Sequence, residues 1–267
     1  MMNTKKLAFI NGKGGCGKTT SLFHVAGVLA ASGEKVLVLD FDKQRNATNT
    51  FLMNSDFPRA TVFDVFSGVA SFDDAVAPAL FQSRANAKPK YYGVDCIVAD
   101  VRFSEPFGDE IRFVNELLSF IAARQYSWVL VDMPPSNLLL NQLVFRHIVD
   151  YVVIPMSSDI YSVTGYSDLM DILDSAREFN PRLTNIGAFL SRYNRHKSLE
   201  QYIKSSLEQC CGSAFIDVQI PFSADVPDSV TMGRPISFYK LVSRSRTAYE
   251  DLTAEIVRRI ERAESTK

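Results

Sequence analysis

Eight residues, Gly12-Lys13-Gly14-Gly15-Cys16-Gly17-Lys18-Thr19, carry the spacing Gly-x4-Gly-Lys-Thr. Glycines here let main-chain N–H groups turn inward around an oxyanion that side chains would block. The apolar run Leu7-Ala8-Phe9-Ile10 precedes them. After them, over 18–32, Leu22, Val25, Ala26 and Leu29 recur at helical spacing until Gly33 stops the pattern. A strand, a glycine loop and a helix in that order make a phosphate cradle, with the positive end of the helix aimed at the anion. In such a cradle Lys18 brings a cation to the outer phosphates of a nucleoside triphosphate, and Thr19 offers a hydroxyl to Mg2+. An ordinary phosphate loop does not need Lys13. That side chain reads either as a solvated lysine or as one projecting toward a nucleotide held by a facing subunit. Cys16, close to a helix N-terminus, reads as a redox-sensitive thiol or simply as a small side chain that fits.

Carboxylates follow in the right order. Lys35-Val-Leu-Val-Leu39 ends in Asp40-Phe41-Asp42, and Trp128-Val-Leu-Val131 ends in Asp132. An Asp at the C-terminal end of a buried strand lies where ligands collect in open α/β sheets. Asp132, after such a strand, is placed to hold Mg2+ through water. Asp42 otherwise reads as a helix cap or a loop ion pair.

Continuous apolar strands separated by helical stretches must position these groups. Tyr151–Ile154, Ile186–Leu190 and Ile216–Ile220 repeat the strand pattern; 138–149, 161–179, 197–210 and 244–263 read as helices. Strands apolar on both faces predict an α/β fold, a mostly parallel twisted sheet with helices on both sides. The expectation is one domain over 1–267. Residues 54–125 are less regular, with Pro58, Pro78, Pro89, Pro106 and a polar stretch over 82–90, and read as a peripheral insertion.

Composition narrows the classes. The chain has 267 residues, 46% of them hydrophobic, enough for one sizeable core. A net charge of -1 gives no global pull on nucleic acid, so any such contact needs a local patch. Cys16, Cys96, Cys210 and Cys211 fit a reducing cytoplasm rather than a disulfide or zinc framework. The N-terminus has no signal-peptide core and leaves no room for a DNA-reading domain before Leu7; no apolar stretch of about 18 residues is present.

Lys13-Gly-Gly-Cys-Gly-Lys-Thr-Thr20 resembles the deviant Walker A motif of the ParA/MinD family of P-loop ATPases, usually Lys-Gly-Gly-Val-Gly-Lys-Thr-Thr. Asp40-Phe-Asp-Lys-Gln-Arg-Asn-Ala-Thr48 is similar to the ParA switch Asp-x-Asp-Pro-Gln-Gly-Asn-Ala-Thr, with Lys43 for proline and Arg45 for glycine. Asp132-Met-Pro-Pro-Ser136, Val152–Pro155, Ile160–Gly165, Ile220-Pro221, Gly233–Ile236 and Ser243–Tyr249 extend the likeness over about 5–262. The resemblance implies ATP and Mg2+ as cofactors, with Gly12 to Thr20 as the nucleotide loop. It implies that Lys13 reaches across a nucleotide sandwich homodimer, that Asp42 positions the attacking water and stands near the metal, and that Pro221 and Phe222 lie near the adenine. That last pair reads equally as a turn with a core aromatic.

The ParA branch implies non-specific DNA binding by the ATP dimer, nucleoid association, and a cargo-bound adaptor that stimulates hydrolysis. The cargo could be a plasmid, a chromosome, or a protein assembly such as a carboxysome or chemotaxis cluster. Basic candidates for DNA are Arg192, Arg195, Lys197, Arg234, Lys240, Arg244 and Arg246. Asp225 stands where the family often has another basic residue. A MinD-like membrane regulator is the first alternative. The C-terminal stripe Leu252, Ile256, Val257, Ile260 reads as packing rather than as a membrane-inserting face. A metabolic or metallocluster relative is the second, but adjacent Cys210 and Cys211 suit a bridging cluster poorly.

Overall fold

The computed structural model describes residues 4–102, 109–135, 138–159 and 161–266. Ser136, Ile160 and Pro106, used in the motifs and breaks above, lie outside them. The element order is β1 (Lys5–Phe9), α1 (Lys18–Ala31), β2 (Val36–Asp40), α2 (Asn46–Phe51), α3 (Val62–Phe66), α4 (Phe72–Ala75), β3 (Val76–Phe81), β4 (Lys90–Ile97) and α5 (Glu110–Arg124). Then come β5 (Trp128–Asp132), α6 (Leu138–Leu143), β6 (Tyr151–Ser157), α7 (Tyr161–Arg177), β7 (Thr184–Ser191), α8 (Ser198–Cys211), α9 (Asp225–Thr231), α10 (Ile236–Tyr239) and α11 (Arg244–Ser265).

Seven strands form one sheet in the order β3-β4-β2-β5-β1-β6-β7. All neighbours run parallel except β3, antiparallel to β4 on the edge. Strand side chains alternate between two cores. Val36 and Val38 enter one with Leu7, Phe9 and Leu130; Leu37 and Leu39 enter the other with Ala8, Val129 and Val131. This is why the strands read as unbroken apolar runs: each face is covered by helices.

Three expectations change. The stretch 54–125 is not wholly peripheral, because β4 pairs with β2 inside the sheet and β3 extends it. Residues 216–220 do not form a strand. They follow β7 through Ile216 N–H to Ala188 O (2.7 Å) and Ile220 N–H to Leu190 O (2.8 Å), with only isolated bridges at Phe215 and Pro221. The expected helix 138–149 loosens into a π-helical turn over Val144–Ile148. Asn180 Nδ2 donates to the carbonyls of Phe145 (2.8 Å) and Val149 (2.9 Å) there, satisfying groups that helix end leaves unpaired.

Candidate functional site

The site lies at the C-terminal ends of the central strands. Register alone brings its acids together: Asp40 of β2 is the direct partner of Asp132 of β5, and Phe9 of β1 faces Asp132 on the other side. The phosphate loop leaves β1 beside them. Gly17, in a left-handed conformation (φ 94°), turns the chain into α1. A Cβ added at Gly14 or Gly15 would meet nothing within 4 Å, so these glycines border open space of the kind a phosphate cradle requires. Ser191 at the end of β7 braces the loop from behind, its hydroxyl donating to Cys16 O at 2.6 Å.

Lys18 is buried, and its ammonium donates to the carbonyls of Asn11 and Lys13, both at 3.0 Å. Thr19 Oγ1 donates to Asp132 Oδ2 at 2.6 Å, while Asp132 Oδ1 is buried with no partner. Burial, and then the neighbouring Asp40 carboxylate, push Asp132 well above the ordinary carboxylate range. Asp40 is pushed up to about 6 by burial, although it accepts from Thr48 N–H (2.7 Å), Thr48 Oγ1 (2.8 Å) and Asp42 N–H (3.0 Å). Two buried carboxylates, one with an idle oxygen beside a threonine hydroxyl, suit a divalent cation held largely by water and phosphate. Among the described residues no three His, Cys, Asp or Glu converge into a ready-made metal cage. Thr19 and Asp132 are the residues that would hold Mg2+. Asp42, nearly buried, caps its own turn by accepting Gln44 N–H at 2.9 Å. Cys16 is buried and its thiol is raised, burial outweighing the nearby Lys18 ammonium, so it is not an activated thiolate.

Lys13 leaves the loop. Its ammonium lies 2.5 Å from Asp159 Oδ2, at the turn between β6 and α7, and its side chain stays 44% exposed. Sequence reasoning missed Asp159, Asn11 and Ser191, whose side chains meet the loop from distant segments or brace it locally without any motif of their own. A largely apolar cavity of about 350 Å3 adjoins the loop, lined in part by Gly12, Pro134, Pro135 and Phe145.

Pro221 bridges Tyr193, and Phe222 is exposed beside it. Arg192, Arg195 and Lys197 lie on the exposed loop after β7, Lys197 pairing with Glu200. Lys240 pairs with Asp225 and Arg246 with Glu250; Arg244 opens α11. One candidate is corrected. Arg234 is buried, and its guanidinium donates to Gln82 O (3.2 Å) and Phe238 O (2.7 Å), so it serves the interior rather than a phosphate backbone.

A family profile described as an AAA domain matches residues 4–185. The chromosome partitioning protein ParA of Caulobacter vibrioides is 31% identical over 95% of this chain and 94% of its own. The chromosome-partitioning ATPase Soj of Thermus thermophilus is 28% identical over 97% and 98%. The solved septum site-determining protein MinD of Pyrococcus horikoshii OT3, complexed with Mg-ADP, superposes with a TM-score of 0.74 at 21% identity, over 95% of this chain and 96% of that one. With a phosphate loop that carries a second lysine, and carboxylates from two adjacent strands behind it, the chain belongs to the ParA/MinD family of P-loop ATPases.

Proposed function

We propose that the chain is a ParA-like positioning ATPase: it closes on ATP as a sandwich homodimer, binds DNA non-specifically, and releases it when a cargo-bound adaptor stimulates hydrolysis. One observation carries this reading. The two lysines of the loop divide, Lys18 turning into the cradle and Lys13 leaving it for the exposed face. A cation outside its own cradle can serve the nucleotide of a facing copy.

In this reading the loop amides and Lys18 grip the outer phosphates, and Thr19 and Asp132 hold Mg2+. That ion, when bound, neutralises charge on the phosphate oxygens. Asp42 orients the attacking water, and Lys13 from the facing copy adds the second cation. Without an adaptor, part of the transition-state charge is left unstabilised, so turnover is slow. The curated partition relatives support the partition reading; the choice of cargo stays with the adaptor. For a membrane-bound regulator the C-terminal helix would need an idle apolar face. Leu252, Ile256 and Ile260 of α11 are instead at most 1% exposed, spent on the core against α1.

Light scattering with Mg2+ and a non-hydrolysable ATP analogue tests the sandwich. Lys13→Ala should bind nucleotide as the wild type does and stay monomeric; a Lys13→Ala dimer of wild-type affinity overturns the reading.

A further inference from the structure

β6 ends at Ser157, and the turn that follows carries Asp159 across to the phosphate loop. Asp159 Oδ2 receives the Lys13 ammonium at 2.5 Å and the Ser157 hydroxyl at 2.6 Å, while Oδ1 accepts Tyr161 N–H at 3.1 Å. The Tyr161 ring, 74% exposed, stands 6.0 Å from the same ammonium. Partial burial works against the charged carboxylate, yet the bonds from Lys13 and Ser157 hold Asp159 below its ordinary range. The lysine that the sandwich needs in trans is therefore held in cis by its own protomer.

We propose that Asp159 is a clamp on Lys13, a positioning residue that restrains dimerisation until ATP is bound. The proposal rests on the sandwich reading above. Lys13 has two anionic destinations: Asp159 in the isolated protomer, and the phosphates of a facing copy in the dimer. It cannot occupy both. Departure of the ammonium does not strand Asp159, which keeps the Ser157 hydroxyl and the Tyr161 N–H. The clamp is also weak enough to release. Its side chains are 44% and 30% exposed, and ion pairs in that setting shift an equilibrium by about five-fold at most. Polyphosphate, with several charges, outcompetes a single carboxylate; inorganic phosphate or ADP, without the facing copy, does not bring a second cradle into reach.

Two measurements on the intact chain decide it. In the nucleotide-free protein, sub-stoichiometric acetylation read by mass spectrometry compares Lys13 with exposed Lys88 as internal reference. Asp159→Asn should raise the relative Lys13 rate by about two- to five-fold. In Mg2+ and a non-hydrolysable ATP analogue, sedimentation should give a dimer tighter by a similar factor. Ser157→Ala, which loosens the carboxylate without changing charge, should move both readouts the same way by less, and it serves if Asp159→Asn folds poorly. Lys13 reactivity indifferent to Asp159 and Ser157, in a protein whose dimer still depends on Lys13, overturns the clamp alone. So does a dimer that weakens or stays unchanged in both variants. A wild-type protein that remains monomeric overturns the sandwich and the clamp with it.

Discussion

Arg45 holds a left-handed backbone conformation, φ 58°, at the turn that closes on Asp42 through Arg45 N–H to Asp42 O (2.8 Å). A glycine, which the similar ParA switch has there, adopts that conformation without a Cβ penalty. Here the guanidinium lies 5.5 Å from the centre of the Phe57 ring, with Nε buried and unpartnered. Substituting Arg45 by Gly and by Ala separates backbone from side chain, since both remove the ring contact. Arg45→Gly should be more stable than Arg45→Ala by about 1 kcal/mol in urea unfolding; equal midpoints would mean the turn relaxes. Legibility in the sequence follows locality. Gly12 to Thr19, Asp42 and Asp132 could be singled out because each belongs to a short spacing or to the end of one strand, and the fold brings Thr19 and Asp132 together. Asp159 could not: it meets Lys13 146 residues away in sequence, and a single aspartate after a strand has no pattern. Ser191 reaches Cys16 across 175 residues for the same reason.

At the scale of elements, α1 is the pivot, because it begins in the phosphate loop and packs against α2, α10 and α11. Its Gly27 is not a flaw in a helix but a point of contact. A Cβ there would stand 2.1 Å from Pro235 Cβ and 3.1 Å from Ser237 Oγ. Alanine raises helix propensity by about 1 kcal/mol over glycine, yet overpacking costs about 1–3 kcal/mol, and a 2.1 Å approach to a rigid ring decides which wins. Gly27→Ala should therefore lower the thermal midpoint, and by less in a Pro235→Gly background, where the Cβ it meets is gone; a rise for Gly27→Ala alone would refute the packing argument. The central strands were legible because burial on both faces makes them uniformly apolar. β3 and β4 were not. β3 contains Pro78, tolerated because it lies on the sheet edge, and β4 carries Asp95, whose carboxylate is satisfied by the hydroxyls of Tyr126 (2.7 Å) and Tyr91 (3.2 Å). Residues 216–220 failed in the opposite direction, an apolar pattern that packs beside β7 without completing a ladder.

Across the whole molecule the net charge is -1, so any pull on DNA has to come from particular side chains. The loop after β7 meets Pro221 and Phe222, and Asp225 joins the same region to Lys240 (3.0 Å) and Ser243 (2.8 Å). Asp225 is thus already compensated, and among the described residues Arg192, Arg195 and Arg244 have no carboxylate at ion-pair distance. If these serve DNA, Arg195→Ala should reduce the log–log salt slope of binding by about 0.9 per protomer while leaving nucleotide affinity alone; an unchanged slope removes Arg195 from the interface. Overall stability has its own handle where α1, α10 and α11 converge on His24. Its Nδ1 accepts Ile236 N–H at 3.1 Å, its ring lies 4.5 Å from that of Tyr249, and its Nε2 is buried without a partner. Burial pushes its pKa down to about 3, so the folded protein keeps it neutral. The unfolded chain protonates it near 6.5. Its contribution is therefore complete above pH 6.5 and is lost as the pH falls toward 3, at about 1.4 kcal/mol for each unit in between. Carboxylates also titrate toward the acid end, so the comparison that isolates His24 is with His24→Asn, which keeps an acceptor for Ile236. Urea midpoints at pH 7 and pH 5 should converge, the wild type losing more than the variant. Parallel losses would mean that His24 takes up its proton without unfolding the three helices around it.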